Sequence, residues 1–377
     1  MERIFHTPEG VRDIYKDECY QKLALQKKIH EVFGCYGYED IETPTFEYFE
    51  VFSKEVGTIP SKDLYKFFDQ EGHTLVLRPD FTPSIARAAA SCFLPGQDTV
   101  RLCYTGNTFI NNSSFQGRLK EATQMGVERI GDASADADAE LLAMMAESLL
   151  ASGLTEFQIS VGQVQFFKSL LEEAGMEEAA CEELRSLISS KNNFGVEELI
   201  LGLNLPTELE QAFLQLPELF GSKEVLDRAR SLTGNEKALA AISRLEEIYE
   251  VLRCYGYDKY ISFDLGMLSK YDYYTGIICQ AFTYGTGEPI VKGGRYDRLL
   301  EHFGKPACAT GFAISMDQLM LALSRQKIAM PQKEETVELC YTKAEREEAI
   351  RKAVALRREG RAVVLTCLDQ ETRRNRP

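Results

Sequence analysis

The sequence has little of what most recognisable metal and hydrolytic sites require. None of its ten cysteines forms a C-x-x-C pair, so the usual metal-ligand spacing is missing. The few histidines are scattered along the chain, at His6, His30, His73 and His302. Their spacing indicates no catalytic dyad and no metal site, and we predict neither. The scattered thiols are typical of reduced, mostly buried cysteines in a cytoplasmic protein.

Long apolar stretches and phosphate-binding glycine loops are also missing. No run approaches the roughly 20 apolar residues that span a bilayer, and Met1–Pro8 lacks the apolar core of a signal peptide. The sequence contains no G-x-x-x-x-G-K-[ST] segment of the kind that cradles nucleotide phosphates. We therefore expect a cytoplasmic chain that does not span a membrane.

The composition is that of a globular protein with an acidic surface. The 377 residues suffice for two or three domains, and 44% of them are hydrophobic, enough for a substantial core. The formal net charge of −15 opposes broad non-specific binding to nucleic acid, because such binding depends on phosphate neutralisation by lysine and arginine.

Hydrophobic periodicity predicts a mixed α+β fold with a largely antiparallel sheet. The pattern predicts a helix over 13–34, a helix that begins with Thr82 as N-cap, two long strands over 99–110 and 119–131, and a helix over 135–152. Further strands are predicted over 38–44, 74–79, 156–161, 260–266, 275–284, 288–292 and 309–315, followed by a helix over 316–324. We assign 1–162 and 259–325 to a core domain, 163–258 to a helical insertion, and 336–377 to a partial α/β domain with a βαβ start.

One segment between residues 101 and 131 carries the most specific pattern. Phe109–Asn112 is followed by Gly117-Arg118 and then by Gln124-x-Gly126-x-Glu128-x-x-Gly131. This order resembles motif 2 of histidyl-tRNA synthetase, which reads roughly G-P-x-F-R-x-E, a short loop, G-R-x-R and Q-x-G-x-E-x-x-G. The resemblance indicates a class II aminoacyl-tRNA synthetase-like fold.

Other blocks extend the resemblance to about residues 6–325. They occur in the family's order and are Thr7–Asp13, Gly37–Pro44 (similar to motif 1), Leu77–Thr82, Tyr271–Gly276, Gly293–Asp297 and Gly311–Leu319 (similar to motif 3). Any one block is a weak signal, and their shared order makes the resemblance strong. The likeness to motif 1 implies a homodimer.

The resemblance also implies a pocket for histidine, whose ammonium, imidazole and carboxylate need acceptors, an aromatic wall and a cation. The implied residues are Asp80, Thr82 and Gln124 for the α-amino group, Glu128 and Tyr274 for the imidazole, Tyr273 beside the ring, and Arg118 for the carboxylate.

The nucleotide side of the family pattern is altered. Ile110, Ser269 and Gln318 stand where the synthetase has arginines, and none of them can supply a guanidinium fork to a phosphate. Loss of one preorganised contact of this kind costs about 3–4 kcal/mol in the transition state. We therefore predict that amino-acid activation is lost and that the chain is not an enzyme. The short C-terminal βαβ also departs from a full anticodon-binding domain, which argues against a role with tRNA.

These departures make the chain similar to the non-catalytic paralogues of the synthetase, the regulatory subunits of ATP phosphoribosyltransferase. The resemblance implies a homodimer within a hetero-oligomer that contains the short catalytic subunit, required for the first step of histidine biosynthesis and for its feedback regulation by L-histidine, without a cofactor. Two alternatives stay open: a divergent histidyl-tRNA synthetase, and a stand-alone histidine sensor. Histidine-dependent ATP–pyrophosphate exchange distinguishes the first of these.

Overall fold

A large mixed sheet forms the centre of the fold in the computed structural model, which describes residues 6–53, 59–92, 99–112, 119–268 and 274–368. The strands are β1 (Glu39–Asp40), β2 (Phe46–Tyr48), β3 (Lys66–Phe68), β4 (Thr74–Leu77), β5 (Val100–Phe109), β6 (Glu121–Ile130), β7 (Phe157–Gln163), β8 (Phe220–Gly221), β9 (Ile261–Asp264), β10 (Ile277–Thr283), β11 (Val291–Arg295), β12 (Ala309–Ser315), β13 (Val337–Tyr341) and β14 (Val363–Cys367). Nine of them form the large sheet in the order β1-β5-β6-β12-β11-β10-β7-β9-β8. Only the β1–β5 and β7–β9 pairs in this sheet are parallel, so the predicted antiparallel character is confirmed.

Helices cover the sheet and make up most of the stretch from 164 to 255. They are α1 (Lys16–Cys35), α2 (Thr82–Cys92), α3 (Ala135–Ala151), α4 (Val164–Ala174), α5 (Glu178–Ser189), α6 (Asn193–Leu201), α7 (Thr207–Gln215), α8 (Glu224–Ser231), α9 (Glu236–Tyr255), α10 (Met316–Arg325) and α11 (Arg346–Arg358). No helix within the described ranges is long and apolar enough to cross a membrane.

The main core lies between the sheet and helices α1, α3 and α9. α3 begins at an N-cap, Ser134, whose hydroxyl accepts from the amide of Ala137. Its alanines, leucines and methionines are buried almost all round, which is typical of a central helix. Met125 and Val127 of β6 pack into this core, so the alternate residues of β6 face the other side of the sheet.

Three predictions about local structure are wrong. The strand predicted over 288–292 runs from Val291 to Arg295, because its glycines pair with β10 and β12 despite their low strand propensity. Thr82 is the first residue of α2 rather than its N-cap; its amide donates to Asp80 Oδ1 at 3.3 Å. The cysteines are all unpaired, but only Cys103 and Cys279 are buried and five of the ten are exposed.

A second, three-stranded sheet has the order β2-β4-β3 and was not predicted as a unit. Its strands β2 and β3 are only three residues long, too short for a periodic signal. One face exposes Phe46, Tyr48 and Phe67, with 50%, 53% and 37% of their surfaces accessible. This aromatic face consists of these three residues.

The C-terminal segment forms the predicted βαβ start. β13 pairs in parallel with β14, and α11 connects them. The chain divides into two compact units. The first comprises Met1–Ile14 and Lys22–Met330, and the second comprises Tyr15–Gln21 and the residues from Pro331 onward. The division of the first unit into a core and a helical insertion stays a prediction.

Candidate functional site

The glycine floor of the candidate site is one face of the central strands β6, β12 and β11. Gln124, Gly126 and Glu128 alternate along β6 and therefore point to the same face. In the register with β12, Glu128 lies opposite Gly311. Gly311 in turn lies opposite Gly294 of β11. A carboxylate thus lies beside a row of glycines in the middle of the sheet.

The glycines of this floor leave space that no other residue would leave. A Cβ atom built on Gly311 would lie 1.8 Å from Glu128 Oε2, and one on Gly126 would lie 2.3 Å from the Tyr104 hydroxyl oxygen. Both separations are far inside van der Waals contact. The missing side chains allow the Glu128 carboxylate and the Tyr104 hydroxyl to lie across the sheet surface.

Two hydroxyl groups hold the Glu128 carboxylate. Thr82 Oγ1, at the start of α2, donates to Glu128 Oε1 at 2.7 Å. The Tyr296 hydroxyl, just after β11, donates to Glu128 Oε2. The carboxylate is 2% exposed and its two oxygens are held by groups far apart in the sequence. Thr82 and Glu128 were predicted together in this site, whereas Tyr296 was not singled out.

Burial changes the ionisation of Glu128. Loss of hydration raises the pKa of its carboxyl from the ordinary 4.5 to about 8, and the nearby Asp80 adds to the rise. The hydrogen bonds from Tyr296 and Thr82 act in the opposite direction. The raised pKa favours the protonated carboxylic acid in the ligand-free site near neutral pH, a form that can donate as well as accept.

Two polar atoms of the pocket have no partner among the described residues. They are the Tyr104 hydroxyl oxygen and Gln124 Oε1, both buried. Tyr104 is 2% exposed, and burial, with the carboxylates of Glu128 and Asp80 nearby, raises the pKa of its hydroxyl well above 10. Because a buried polar atom without a partner costs about 1–3 kcal/mol, a polar ligand bound here recovers that energy.

An aromatic wall lines one side of the floor. The Phe81 ring stacks on Tyr104 with 4.3 Å between centroids, and the Arg78 guanidinium lies 4.0 Å from the Phe81 centroid. The backbone carbonyls of Asn107 and Thr43 accept from Arg78 at 2.8 Å each, which fixes the guanidinium in place. Neither Phe81 nor Tyr104 was identified from the sequence as a site residue.

The predicted residues Asp80, Thr82, Gln124, Glu128 and Tyr274 are all near this floor. Burial raises the pKa of the Tyr274 hydroxyl most, and the nearby Cys279, Asp80 and Glu128 add to the rise. A side chain on Gly294 would lie 2.8 Å from the Tyr274 ring. The remaining two predicted residues, Arg118 and Tyr273, lie outside the described part of the chain.

Comparisons with known proteins agree with this architecture. A model of the family "Histidyl-tRNA synthetase" matches residues 10–319. The ATP phosphoribosyltransferase regulatory subunit of Acetivibrio thermocellus is 44% identical over 98% of this chain and 89% of that protein. The protein of the same name from Ruminiclostridium cellulolyticum is 43% identical over 94% of this chain and 84% of its own.

A solved structure gives the same result at the level of the fold. The crystal structure of an ATP phosphoribosyltransferase regulatory subunit/histidyl-tRNA synthetase from Bacillus halodurans superimposes with a TM-score of 0.90 at 36% identity, covering 99% of this chain and 96% of that one. The chain belongs to the family of ATP phosphoribosyltransferase regulatory subunits. Histidyl-tRNA synthetase from Nostoc, at 22% identity and a TM-score of 0.82, shows the shared fold.

Of the three positions predicted to replace arginines of the synthetase pattern, two lie in the described part of the chain. Ile110 directly follows β5, and its amide donates to the Lys120 carbonyl at 2.9 Å. Gln318 lies in the first turn of α10, and its buried Oε1 has no partner among the described residues. Neither side chain carries a charge toward the floor. The third position, Ser269, lies outside the described residues.

A cation that the sequence did not bring to attention lies on the floor side of the sheet. Lys292 of β11 is two residues before Gly294, so the two residues lie on the same face. It is exposed and lies opposite Ala313 in the register with β12. Lys292 is a flexible, hydrated ammonium group and does not reproduce the planar fork of an arginine.

A buried ion network supports the floor from behind. Asp138 of α3 is 1% exposed and accepts from Arg295 Nη2 at 2.8 Å and from Arg244 Nη2 at 2.9 Å. Arg295 immediately precedes Tyr296, which holds Glu128. The network thus joins α3, the helix α9 and the strand that leads into the pocket.

Removal of Asp138 is expected to destabilise the fold strongly. In Asp138→Ala, the buried guanidinium of Arg295 loses its bidentate partner and retains the longer ion pair with Asp297 at 3.2 Å; breaking a buried ion pair costs about 3–5 kcal/mol. Urea unfolding followed by circular dichroism measures this loss. Asp136→Ala, at an exposed position on the same helix, is the matched control. If the two variants unfold within 1 kcal/mol of each other, on the order of a surface pair, the network does not stabilise the fold.

Proposed function

We propose that this chain is the non-catalytic regulatory subunit of ATP phosphoribosyltransferase, required for the first step of histidine biosynthesis and for its feedback regulation. Close relatives over almost the whole chain bear that name. The feature that carries the proposal is the group of residues on the glycine floor: a buried carboxylate with unpartnered polar atoms beside it, in a fold of the histidyl-tRNA synthetase type. The transferase chemistry belongs to a separate catalytic subunit.

The pocket is proposed to bind L-histidine. The α-ammonium group of histidine would donate hydrogen bonds to Asp80, to Gln124 Oε1 and to the Tyr104 hydroxyl oxygen, because an ammonium donates and these oxygens accept. Its imidazole would meet Glu128 and Tyr274. Because the Thr82 hydroxyl already donates to Glu128, we assign Thr82 to the positioning of that carboxylate. Tyr273 beside the ring and Arg118 at the carboxylate remain proposals from the resemblance.

Histidine regulates the assembly only if it binds one state better than another. A coupling free energy of about 1–3 kcal/mol between two sites means that a ligand at one site changes the affinity of the other by 5- to 150-fold. The bonds from Thr82 and Tyr296 join the ligand-binding carboxylate to α2 and to the segment after β11. Displacement of either hydroxyl by histidine would move an element at the edge of the pocket.

Reconstitution of activity is the direct test of the proposal. ATP phosphoribosyltransferase activity of the short catalytic subunit from the same organism is measured alone, with this chain, and with this chain and added histidine. The proposal requires that the chain raises the activity and that histidine lowers it again. If the catalytic subunit is indifferent to the chain, the proposal fails, and a stand-alone histidine sensor or a divergent synthetase must be considered. Co-purification of the native complex distinguishes a stand-alone histidine sensor from the regulatory subunit, because a transferase partner is expected only for the regulatory subunit.

Amino-acid activation is expected to be undetectable. The nucleotide side offers Ile110 and Gln318 where the synthetase pattern has arginines, so the charge on a pentavalent phosphate has no guanidinium partner at these positions. Histidine-dependent exchange of pyrophosphate into ATP measures this activity, with an authentic histidyl-tRNA synthetase as the positive control. Exchange at rates near those of the control would support the divergent-synthetase alternative instead.

A homodimer is proposed as the building unit of the assembly. The segment similar to motif 1, Gly37–Pro44, leads directly into β2 and thus into the aromatic face of Phe46, Tyr48 and Phe67. Exposed aromatic side chains grouped on one sheet face are typical of protein interfaces. A second copy of the chain would bury them next to the motif 1 segment.

The double variant Phe46→Ser, Phe67→Ser is expected to be monomeric. The two rings contact each other edge to face, with 5.7 Å between centroids, so both changes remove the same apolar patch. Light scattering after size-exclusion chromatography gives the mass. Phe194→Ser, at a 75% exposed aromatic residue of α6, is expected to keep the wild-type mass. A dimeric double variant would place the interface elsewhere.

A further inference from the structure

Three metal-ligating side chains meet at one edge of the large sheet, outside the glycine floor. His30 is on α1, Asp40 on β1 and Cys103 on β5, and one ligand atom from each lies within 4.8 Å of the others. Cys103 is adjacent to Tyr104 in a strand, so its side chain points away from the histidine pocket. The sequence spacing did not indicate this cluster, because its members come from three separate elements.

The Cys103–Asp40 separation suits a small tetrahedral metal ion, and the His30–Asp40 separation is somewhat shorter than such an ion requires. Around Zn²⁺, bonds of about 2.0–2.3 Å keep N, O and S ligand atoms about 3.4–3.6 Å apart. Cys103 Sγ lies 3.6 Å from Asp40 Oδ1, and His30 Nε2 lies 2.8 Å from the same oxygen. The histidine–aspartate pair must therefore open by about 0.6 Å. Both side chains are free to do so on steric grounds, since they are 46% and 72% exposed.

We propose that His30, Asp40 and Cys103 form a zinc site with one coordination position left for water. Imidazole, carboxylate and thiolate are the ligand types that Zn²⁺ takes in proteins. When Zn²⁺ binds, the Cys103 thiol releases its proton to solvent. The hydrogen bond from the thiol to Asp40 is then replaced by a Zn–S bond. His30 binds as the neutral imidazole through Nε2.

The surroundings of the cluster give an ion one open and one closed side. In a single copy of the chain, His30 and Asp40 are exposed and leave an approach for the hydrated ion. Cys103 is 1% exposed and belongs to the apolar core that includes Ile29, Phe33 and Tyr38, so the thiolate forms the inner wall. Zinc would thereby tie α1 to β1 and β5. A second histidine-containing group among the described residues, Asp69, Glu71 and His73, has no thiol and only solvent-accessible or half-buried members.

Cobalt substitution tests the site in the full-length chain. After removal of bound metal with a chelator, Co²⁺ is titrated under reducing conditions. We expect visible absorption of a tetrahedral ion together with a near-ultraviolet thiolate-to-cobalt charge-transfer band, both displaced by Zn²⁺. Cys103→Ser is expected to abolish the charge-transfer band, and His30→Gln to weaken binding at least about tenfold. Cys92→Ser and His73→Gln, at an exposed cysteine and in the thiol-free group, are expected to bind as wild type.

Three results would overturn the proposal. The first is the lack of a thiolate band in the wild-type chain, and the second is a band that persists in Cys103→Ser and so arises from another thiol. The third is wild-type affinity in His30→Gln, which replaces a solvent-facing side chain and so remains informative if the buried Cys103→Ser does not fold.

Discussion

Glu128→Gln is expected to abolish most of the histidine affinity while it stabilises the ligand-free protein at alkaline pH. The wild-type carboxyl can pass its proton to the imidazole and form an imidazolium–carboxylate pair inside the buried pocket. The amide cannot. Loss of one partner of a buried, hydrogen-bonded charge pair costs about 2–5 kcal/mol, or roughly 30-fold or more in Kd. Isothermal titration calorimetry with L-histidine measures the loss.

The amide should fit the ligand-free pocket, since the hydroxyls of Thr82 and Tyr296 can each donate or accept. The stability change then depends on pH with a defined sign. The folded-state pKa of Glu128 is raised to about 8 from 4.5, so between these values the native state binds more protons than the unfolded chain. Wild-type stability is therefore lost as pH rises from about 4.5 to 8, and the glutamine variant is exempt from this loss.

The measurement is the difference in Tm between Glu128→Gln and wild type. It should grow from pH 5 to pH 8 and level off above that. Glu31→Gln, at a solvent-exposed glutamate of α1, controls for the change in net charge and should give a flat difference. A flat profile for Glu128→Gln as well would mean that the carboxyl is already ionised in the folded protein at pH 5.

Gly311→Ala is expected to damage both the pocket and the fold. The new methyl group would lie 1.8 Å from Glu128 Oε2 and 2.5 Å from the Val127 carbonyl oxygen. The carboxylate can rotate away only by leaving Thr82 and Tyr296, and the carbonyl is part of the paired strand β6. Overpacking of this kind costs about 1–3 kcal/mol, and the displaced carboxylate should remove histidine binding.

Thermal unfolding and histidine titration are measured together for Gly311→Ala. Gly34→Ala is the matched control, because a Cβ there meets nothing within 4 Å and the residue lies near the end of α1. This control should be neutral or slightly stabilising, since alanine restricts the unfolded chain. Wild-type histidine affinity in Gly311→Ala would show that the ligand does not use the Glu128 carboxylate at this floor.

Strong periodic segments could be predicted from the sequence, whereas short or glycine-rich ones could not. β5 and β6 are ten residues each and were predicted as 99–110 and 119–131. β2 and β3 have three residues each and carry no readable period. The end of β11 is formed by Gly293, Gly294 and Arg295, whose strand conformation depends on pairing with β10 and β12 rather than on local propensity.

The pocket residues divide in the same way. Gln124 and Glu128 could be placed on one strand face from their spacing alone, and the resemblance added Asp80, Thr82 and Tyr274. Tyr104 and Tyr296 were not predicted as site residues. Tyr104 lies on β5 opposite Gly126 of β6, so the alternation of side chains along the strand places it on the same face as the floor. Tyr296 lies within the family block Gly293–Asp297, and only its bond to Glu128 distinguishes it from a core tyrosine.

The sequence by itself determined the family and the α+β class, because these depend on residue identity and on spacing within single elements. Only the tertiary structure shows that burial raises the pKa of Glu128 to about 8, that a Cβ on Gly311 would meet the Glu128 carboxylate, and that His30, Asp40 and Cys103 meet. These properties depend on burial and on distances between strands and helices remote in the chain. Burial removes water from a charged group, and strand pairing places neighbouring strands about 5 Å apart. Neither effect can be predicted from a single segment of the sequence.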